Sequence, residues 1–260
     1  MKFKAENHNL LYFEKVDSTN ETAEKLLFAG DLKEYTIIFT DSQLKGKGVG
    51  RNSWQSEPGK NILMSIVLHP EFLNPADQFM INKVASLAVC RCLDKFIPEK
   101  RTEIKWPNDI YLESRKIAGI LSKNIILGSL FSSCIVGIGL NVNQLNFNPE
   151  LPNPVSMAQV TGKKISLELV LNELIHQIKA FYELLKKGEI KFIDQEYLFR
   201  MLNFNKKACY ISKERTFEGI IRGVDQFGLL ELESDGEMIK YDMKEIALIT
   251  KNKTYSDENQ

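Results

Sequence analysis

The sequence predicts an α+β fold, a sheet with helices packed on it followed by a small β module. Three observations carry that expectation. Apolar, β-like runs such as "YTIIFTDS", "NILMSIVLHP" and "CIVGIGLNVN" recur through the first 143 residues. Two long stretches, opening near Pro75 and Ser166, place apolar residues at helical spacing. After about Lys206 the texture changes to short strands with turns at "KER", "DQFG" and "SDGE". The expected division is 1–205 for the main domain and 206–260 for the β module, with "TYSDENQ" as a frayed tail.

"LLYFEKV" reads as the first strand, and "DSTNETAEKLLFAG" as a capped helix closing at Gly30. "YTIIFTDS" is the next strand. A long loop rich in glycine and cations, "QLKGKGVGRNSWQSEPGK", leads into the buried strand "NILMSIVLHP". Pro75 after Asn74 suits a first helical position, and Ile81, Ala85, Ala88, Cys92 and Phe96 follow on one stripe. From 103 to 143 the pattern is strands and tight turns. A second long helix starts near Ser166, with Leu167, Leu171, Leu174, Ile178, Phe181 and Leu185 as its core face. "EIKFIDQEYLFR" reads as a further helix.

Composition excludes several classes of function. The 34 basic and 34 acidic residues cancel, so no global basic field attracts nucleic acid. No apolar run reaches the ~18–20 residues that span a bilayer. The N-terminus has no apolar run with a small-residue cleavage site, so a cytoplasmic protein is expected. Cys90 and Cys92 point to different sides of a helix, and the three histidines are scattered. Free thiols and no protein-built metal site are therefore expected.

Four stretches carry chemistry. In "LKGKGVGRNSW" the glycines Gly46, Gly48 and Gly50 free backbone N–H groups to approach an anion, and Lys45, Lys47 and Arg51 supply charge. Its G-x-G-x-G spacing is neither a P-loop nor a dinucleotide fingerprint. In "GIGLNVN" Gly137 and Gly139 share one strand face, and a face without side chains lets a flat ligand lie against backbone. Asn141 continues that face with an amide. At "DSTN" a strand turns into a helix, where Ser18 and Thr19 either cap the helix or face a polar ligand atom. In "KWPNDIYLESRKIAGIL" Pro107 fixes a turn, Asn108 and Asp109 offer an amide and a carboxylate, and Lys116 can bend across the strand beside small Ala118 and Gly119.

Together "DSTN", "Q-x-x-G-K-G-x-x-x-x-x-W", "KWPNDIYL", "RKIAGIL" and "GIGLNVN" resemble the biotin–protein ligase family, in that family's order over roughly residues 10–250. The resemblance implies a mixed or antiparallel sheet of the class II aminoacyl-tRNA synthetase and biotin-ligase kind, with an SH3-like β-barrel at the C-terminus. It implies an enzyme that joins biotin to ATP, with Mg²⁺, and passes biotin to a lysine on the biotin carboxyl carrier domain of a carboxylase. It also implies roles for particular residues. Ser18, Thr19, Asn20 and Gln43 match those that hydrogen-bond the ureido head of biotin. Gly46, Lys47, Gly48 and Val49 match the loop that orders over biotin and adenylate, and Gly137 and Gly139 match the wall beside the bicyclic ring. Lys47, Arg51, Trp54, Asn61, Lys116 and Asn141 fall at nucleotide-contacting positions. Lys116, Arg51 and Asp109 are the expected catalytic set, with Lys116 beside the biotin carboxylate and α-phosphate.

At Val49 the chain departs from the arginine that many members carry, which leaves Lys47 and Arg51 as the cations there. With the first strand starting near residue 10, no N-terminal DNA-binding module is expected, and a monomer or homodimer fits. The alternatives are a lipoate–protein ligase or octanoyltransferase, which shares fold and lysine, and a non-catalytic binding adaptor.

Overall fold

The computed structural model describes residues 9–30, 32–50, 52–213 and 215–249; Arg51, Glu214, His8 and the tail "TYSDENQ" lie outside the described residues. The chain runs β1 (Leu10–Val16), α1 (Thr19–Ala29), β2 (Ile37–Gln43), β3 (Ile62–Leu68) and α2 (Phe79–Phe96). The meander β4 (Thr102–Lys105), β5 (Asp109–Leu112), β6 (Arg115–Leu127) and β7 (Leu130–Leu140) follows. Three helices come next, α3 (Met157–Thr161), α4 (Leu167–Lys186) and α5 (Ile190–Arg200). Five strands close the chain: β8 (Lys207–Ser212), β9 (Arg215–Val224), β10 (Leu230–Ser234), β11 (Glu237–Tyr241) and β12 (Ala247–Leu248).

The first seven strands form one sheet in the order β1-β2-β3-β7-β6-β5-β4. Only β1 and β2 pair in parallel, so the sheet is mixed, as expected. Strand β3 lies inside the sheet between β2 and β7 and is buried along its whole length, which is why "ILMSIVL", Ser65 apart, is apolar without alternation. One face is covered by α2 and α4, whose apolar residues join Phe39, Met64, Ile66, Val136 and Ile138 in the main core. On the other face, α1 packs Ala23 against Ile38, Val67 and Ile135. Helix α1 covers only part of that face, and the uncovered remainder is where the glycines lie.

The last five strands form a second, wholly antiparallel sheet in the order β11-β10-β9-β8-β12, consistent with an SH3-like module. Its buried residues Tyr210, Ile221, Leu230, Leu232 and Ile246 belong to the same core cluster as the main sheet. Trp106 ties the two together by donating from Nε1 to the carbonyl of Gly228 at 3.0 Å.

Three helix ends differ from expectation. Pro75 opens a single 3₁₀ turn (Pro75–Asp77) with Asn74 accepting from the amide of Ala76, and α2 begins only at Phe79. Asn74 thus satisfies the short turn and not the long helix. Ser18 occupies the position before α1 in extended conformation, yet its side chain makes no capping bond. Gly30 follows α1 at φ 176°, an extended conformation and not the left-handed one of a glycine cap. All four cysteines are free; Cys90, Cys92 and Cys134 are buried, and Cys209 is exposed.

Candidate functional site

The uncovered sheet face is built by register. Gly119 of β6 lies opposite Gly139 of β7, and Leu121 lies opposite Gly137. On the other side of β7, Gly137 faces Ser65 of β3. Three glycines on three neighbouring positions leave the backbone open to a side chain or ligand from above. In this structure two side chains use that room. A methyl group on Gly137 would stand 2.3 Å from Oδ1 of Asn20, and one on Gly139 would stand 2.4 Å from the ring of Trp54.

Lys116 reaches this face because of a bulge. Asp109 pairs with Gly119 and Ile110 with Ala118, but Tyr111 pairs with Lys116, so Ile117 is the extra residue of β6. Unbroken alternation would set Lys116 on the same side as Ala118, in the core. The bulge returns it to the side of Asp109 and Gly119, as bulges beside functional sites commonly do. The segment 153–155 locks it there: the amide of Lys116 donates to Asn153 and its carbonyl accepts from the amide of Val155. The Lys116 ammonium then sits 2.7 Å from Oδ1 of Asp109 and 5.7 Å from the centre of the Trp54 ring. Both charged groups of the pair are mostly sheltered, at 29% and 24% exposed.

At the other end of the cleft, the β1–α1 junction presents its polar groups. Gln43 Oε1 accepts from the Thr19 amide at 2.8 Å and from its hydroxyl at 3.2 Å. Asn20 accepts from the Ser65 hydroxyl at 2.6 Å and donates to the carbonyl of Leu121 at 2.9 Å. Ser18 is 2% exposed and lines the cleft.

The glycine loop folds back as a small hairpin, with Lys47 bridged to Ser53 and the Trp54 amide donating to Gly46. Two of its cations are drawn to α1 and to the turn before it. Lys45 pairs with Asp17 at 3.0 Å and Lys47 with Glu21 at 2.5 Å. The hydrogen bond from Lys47 holds the Glu21 carboxyl below its ordinary range.

These parts enclose a cleft with about 690 Å³ of empty space, partly open to solvent. Of the residues expected from sequence, Ser18, Thr19, Asn20, Gln43, Lys47, Gly48, Val49, Trp54, Asp109, Lys116, Gly137 and Gly139 line it. Gly46 lies beneath: a methyl there would stand 2.5 Å from the carbonyl oxygen of Trp54. Gly46→Ala is therefore expected to force the loop strands apart, at a cost of about 1–3 kcal/mol. Denaturant titration checks this, and an unchanged midpoint would show that the crossing tolerates a methyl.

Asn141 lies just beyond, in an adjoining cavity that shares Trp54, Asp109 and Lys116 with the cleft. It is 4% exposed and donates to the Val155 carbonyl, and its Oδ1 has no hydrogen-bond partner among the described residues. Tyr111 borders the same cavity, and burial, reinforced by Asp109, pushes its phenol up to about 12.

Asn61 is a correction. It is 1% exposed, and its amide is used within the fold: Nδ2 donates to Ser56 and Gln144, and Oδ1 accepts from the Val142 amide. It fixes the end of β7 and is not brought to the cleft. Sequence reading in turn missed Gly119 and Leu121 as lining residues. The signal was the cross-strand pairing with Gly139 and Gly137, which needs the register of β6 on β7.

Among the described residues no group of three or more His, Cys, Asp or Glu side chains converges to hold a metal. No helix among them is long and apolar enough to cross a membrane.

A sequence profile of the biotin/lipoate A/B protein ligase family matches residues 12–141. The bifunctional ligase/repressor BirA of Bacillus subtilis is 30% identical over 242 residues, which span 90% of this chain and 72% of that protein. The biotin–[acetyl-CoA-carboxylase] ligase of Paracoccus denitrificans is 28% identical over 223 residues, or 84% of this chain and 91% of that one. Among solved structures, a biotin protein ligase from Aquifex aeolicus in complex with biotin and ATP superposes with a TM-score of 0.76. It is 25% identical, with 93% of this chain and 98% of that one covered.

Proposed function

Because the chain belongs to the biotin/lipoate A/B protein ligase family, we infer that it is an ATP-dependent biotin–protein ligase. Biotin is activated as biotinyl-5′-AMP and then transferred to the lysine of an acceptor protein. The observation that carries this reading is the sheltered Lys116–Asp109 pair in a glycine-floored cleft.

In the first step a carboxylate oxygen of biotin attacks the α-phosphorus of ATP, and the bond to the bridging oxygen breaks to release pyrophosphate. Two anions must meet, so a fixed cation in a sheltered place is what the reaction needs most. Lys116 supplies it, held by Asp109 in the resting site. The Ser18–Asn20 turn and Gln43, at the opposite end, offer donors and acceptors suited to a ureido ring. The backbone at Gly139 accepts the flat bicycle once Trp54 moves off it, with Asn20 standing over Gly137 beside it. In the second step the acceptor amine attacks the acyl carbon and AMP leaves.

Mg²⁺ would enter on the ATP phosphates and keep most of its waters, a mode that asks one or two carboxylates of the protein. Asp109 is the one carboxylate among the cleft residues and fits that demand. Such an ion would neutralise phosphate charge.

Three finer assignments belong to this reading. The acceptor is a biotin carboxyl carrier domain, the compartment is the cytoplasm, and the C-terminal module of 206–260 is a domain of its own. Free thiols in the described core support the second, and the separate antiparallel sheet supports the third.

Biotin-dependent exchange of labelled pyrophosphate into ATP tests the first step, and the mass added to a carrier lysine tests the second. A gain of lipoyl or octanoyl mass in place of biotin would move the chain to the other branch of its family.

The loop cations give a further test. Lys45 is paired with Asp17 and does not line the cleft, so Lys45→Ala is expected to leave exchange nearly unchanged. Arg51→Ala is expected to slow it about tenfold or more, the value of a charge-assisted hydrogen bond to phosphate. Equal rates in the two variants would remove Arg51 from the catalytic set.

A further inference from the structure

The turn that delivers Asp109 contains Pro107, which has no amide hydrogen and offers only its carbonyl as a handle. Two side chains from two different helices converge on that carbonyl. Asn82 of α2 donates to it from Nδ2 at 2.9 Å, and Tyr197 of α5 donates its hydroxyl at 3.2 Å. Together they fill both lone-pair directions of one oxygen.

Neither donor is loosely held. Tyr197 is fully buried, packs edge-on against Phe79 with ring centres 6.0 Å apart, and has the Lys83 ammonium 5.7 Å from its ring centre. Lys83 in turn is paired with Asp194 at 2.7 Å. Burial raises the Tyr197 phenol far above its ordinary range, so it remains a donor at every working pH. Asn82 accepts at its other end from the hydroxyl of Ser122, the residue after Leu121, whose carbonyl holds Asn20. One amide thus spans from the Pro107 turn to the strand that floors the cleft.

Beyond Pro107 the chain has one further tie before the ion pair. Asn108 exchanges hydrogen bonds with Ile120, its carbonyl accepting from the Ile120 amide and its side chain donating to the Ile120 carbonyl. Asp109 comes next. A rotation of the 107–108 peptide would carry the Asp109 carboxylate off the Lys116 ammonium, and the Pro107 carbonyl is the part of that peptide which the helices grip.

We propose that Asn82 and Tyr197 are positioning residues for adenylate formation: by holding the Pro107 carbonyl from α2 and α5, they set where Asp109 meets Lys116. Neither lines the cleft, so neither touches substrate. The proposal rests on the ligase reading for its kinetic consequence and on the fold alone for its structural one.

The experiment uses Asn82→Ala, Tyr197→Phe and the double variant in the full chain. Alanine keeps α2 helical but also removes the acceptor of the Ser122 hydroxyl, whereas phenylalanine keeps the buried ring and removes the donor alone. Each single change is expected to lower kcat for pyrophosphate exchange roughly fivefold, the typical net value of one hydrogen bond. KM for biotin should stay the same, because the β1–α1 junction is untouched. In an Asp109→Asn background the same changes should cost nothing more, since the group they position is already gone. An equal loss in both backgrounds, or a rise in KM with kcat intact, would overturn the positioning role. Amide hydrogen exchange at residues 108–111 in the ligand-free protein should quicken in the double variant. Unchanged protection there would sink the proposal whether or not the protein ligates biotin. Absent exchange in the native protein, with quickened amides in the variant, would instead indict the ligase reading alone.

Discussion

Lys116→Ala is expected to lower the rate of adenylate formation by 10²–10³ while leaving the fold intact. The side chain lies on the cleft face of β6, over the Trp54 ring, beside its partner Asp109 and with Cε close to Gly119. Its removal takes away a charge and the contacts of a flexible stem, and leaves the strand pairing of β6 in place. In a site sheltered from water, one such donor stabilises a transition state by about 2.7–4 kcal/mol. The loss should fall on kcat more than on KM for biotin, because the residues proposed for the ureido end belong to the β1–α1 junction and β2. Single-turnover formation of labelled adenylate at saturating biotin and ATP reads it directly. Native turnover in this variant would remove Lys116 from the mechanism.

Gly137→Ala should produce the opposite pattern. The added methyl would stand 2.3 Å from Oδ1 of Asn20, well inside contact distance. Asn20 must then leave, and it loses both the Ser65 hydroxyl and the Leu121 carbonyl. Two hydrogen bonds at about 0.5–1.5 kcal/mol each translate to a roughly 5- to 150-fold weaker grip on the ureido end. The effect belongs in KM and in the equilibrium affinity for biotin, with kcat close to native. Calorimetric titration of biotin into the variant measures it. An affinity equal to native would show that Asn20 merely braces the sheet. The two substitutions separate binding from chemistry on one sheet face.

The fold was largely legible because its signals are local. The alternation in "GIGLNVN", the stripe from Leu167 to Leu185 and the change of texture after Lys206 each report a period or a turn that the chain carries with it. The family motifs likewise named most of the cleft, since each is a short run whose glycine, amide or lysine keeps one role. What failed were inferences that depended on a partner elsewhere. For Ser18 the cap and the ligand contact both stood open; the helix starts without its side chain, so the cap reading fell, and the residue lines the cleft. Asn61 read as a ligand contact, yet Ser56, Gln144 and Val142 take its polar groups.

The sequence by itself determined the α+β class and the order of the strands along the chain, and it pointed to a lysine, a carboxylate and a set of glycines as parts of one site. Only the tertiary structure decided which side of the sheet they share. With a period of two, a single extra residue inverts a face, and the bulge at Ile117 is that residue. It moves Lys116 out of the core and onto the side of Asp109, Gly119 and Gly139. Nothing in "RKIAGIL" announces it, because a bulge is a property of two strands in register. The same holds for the Pro107 carbonyl. Its donors, Asn82 and Tyr197, come from helices 25 and 90 residues away, and only the packing of α2 and α5 against the sheet brings them to one oxygen.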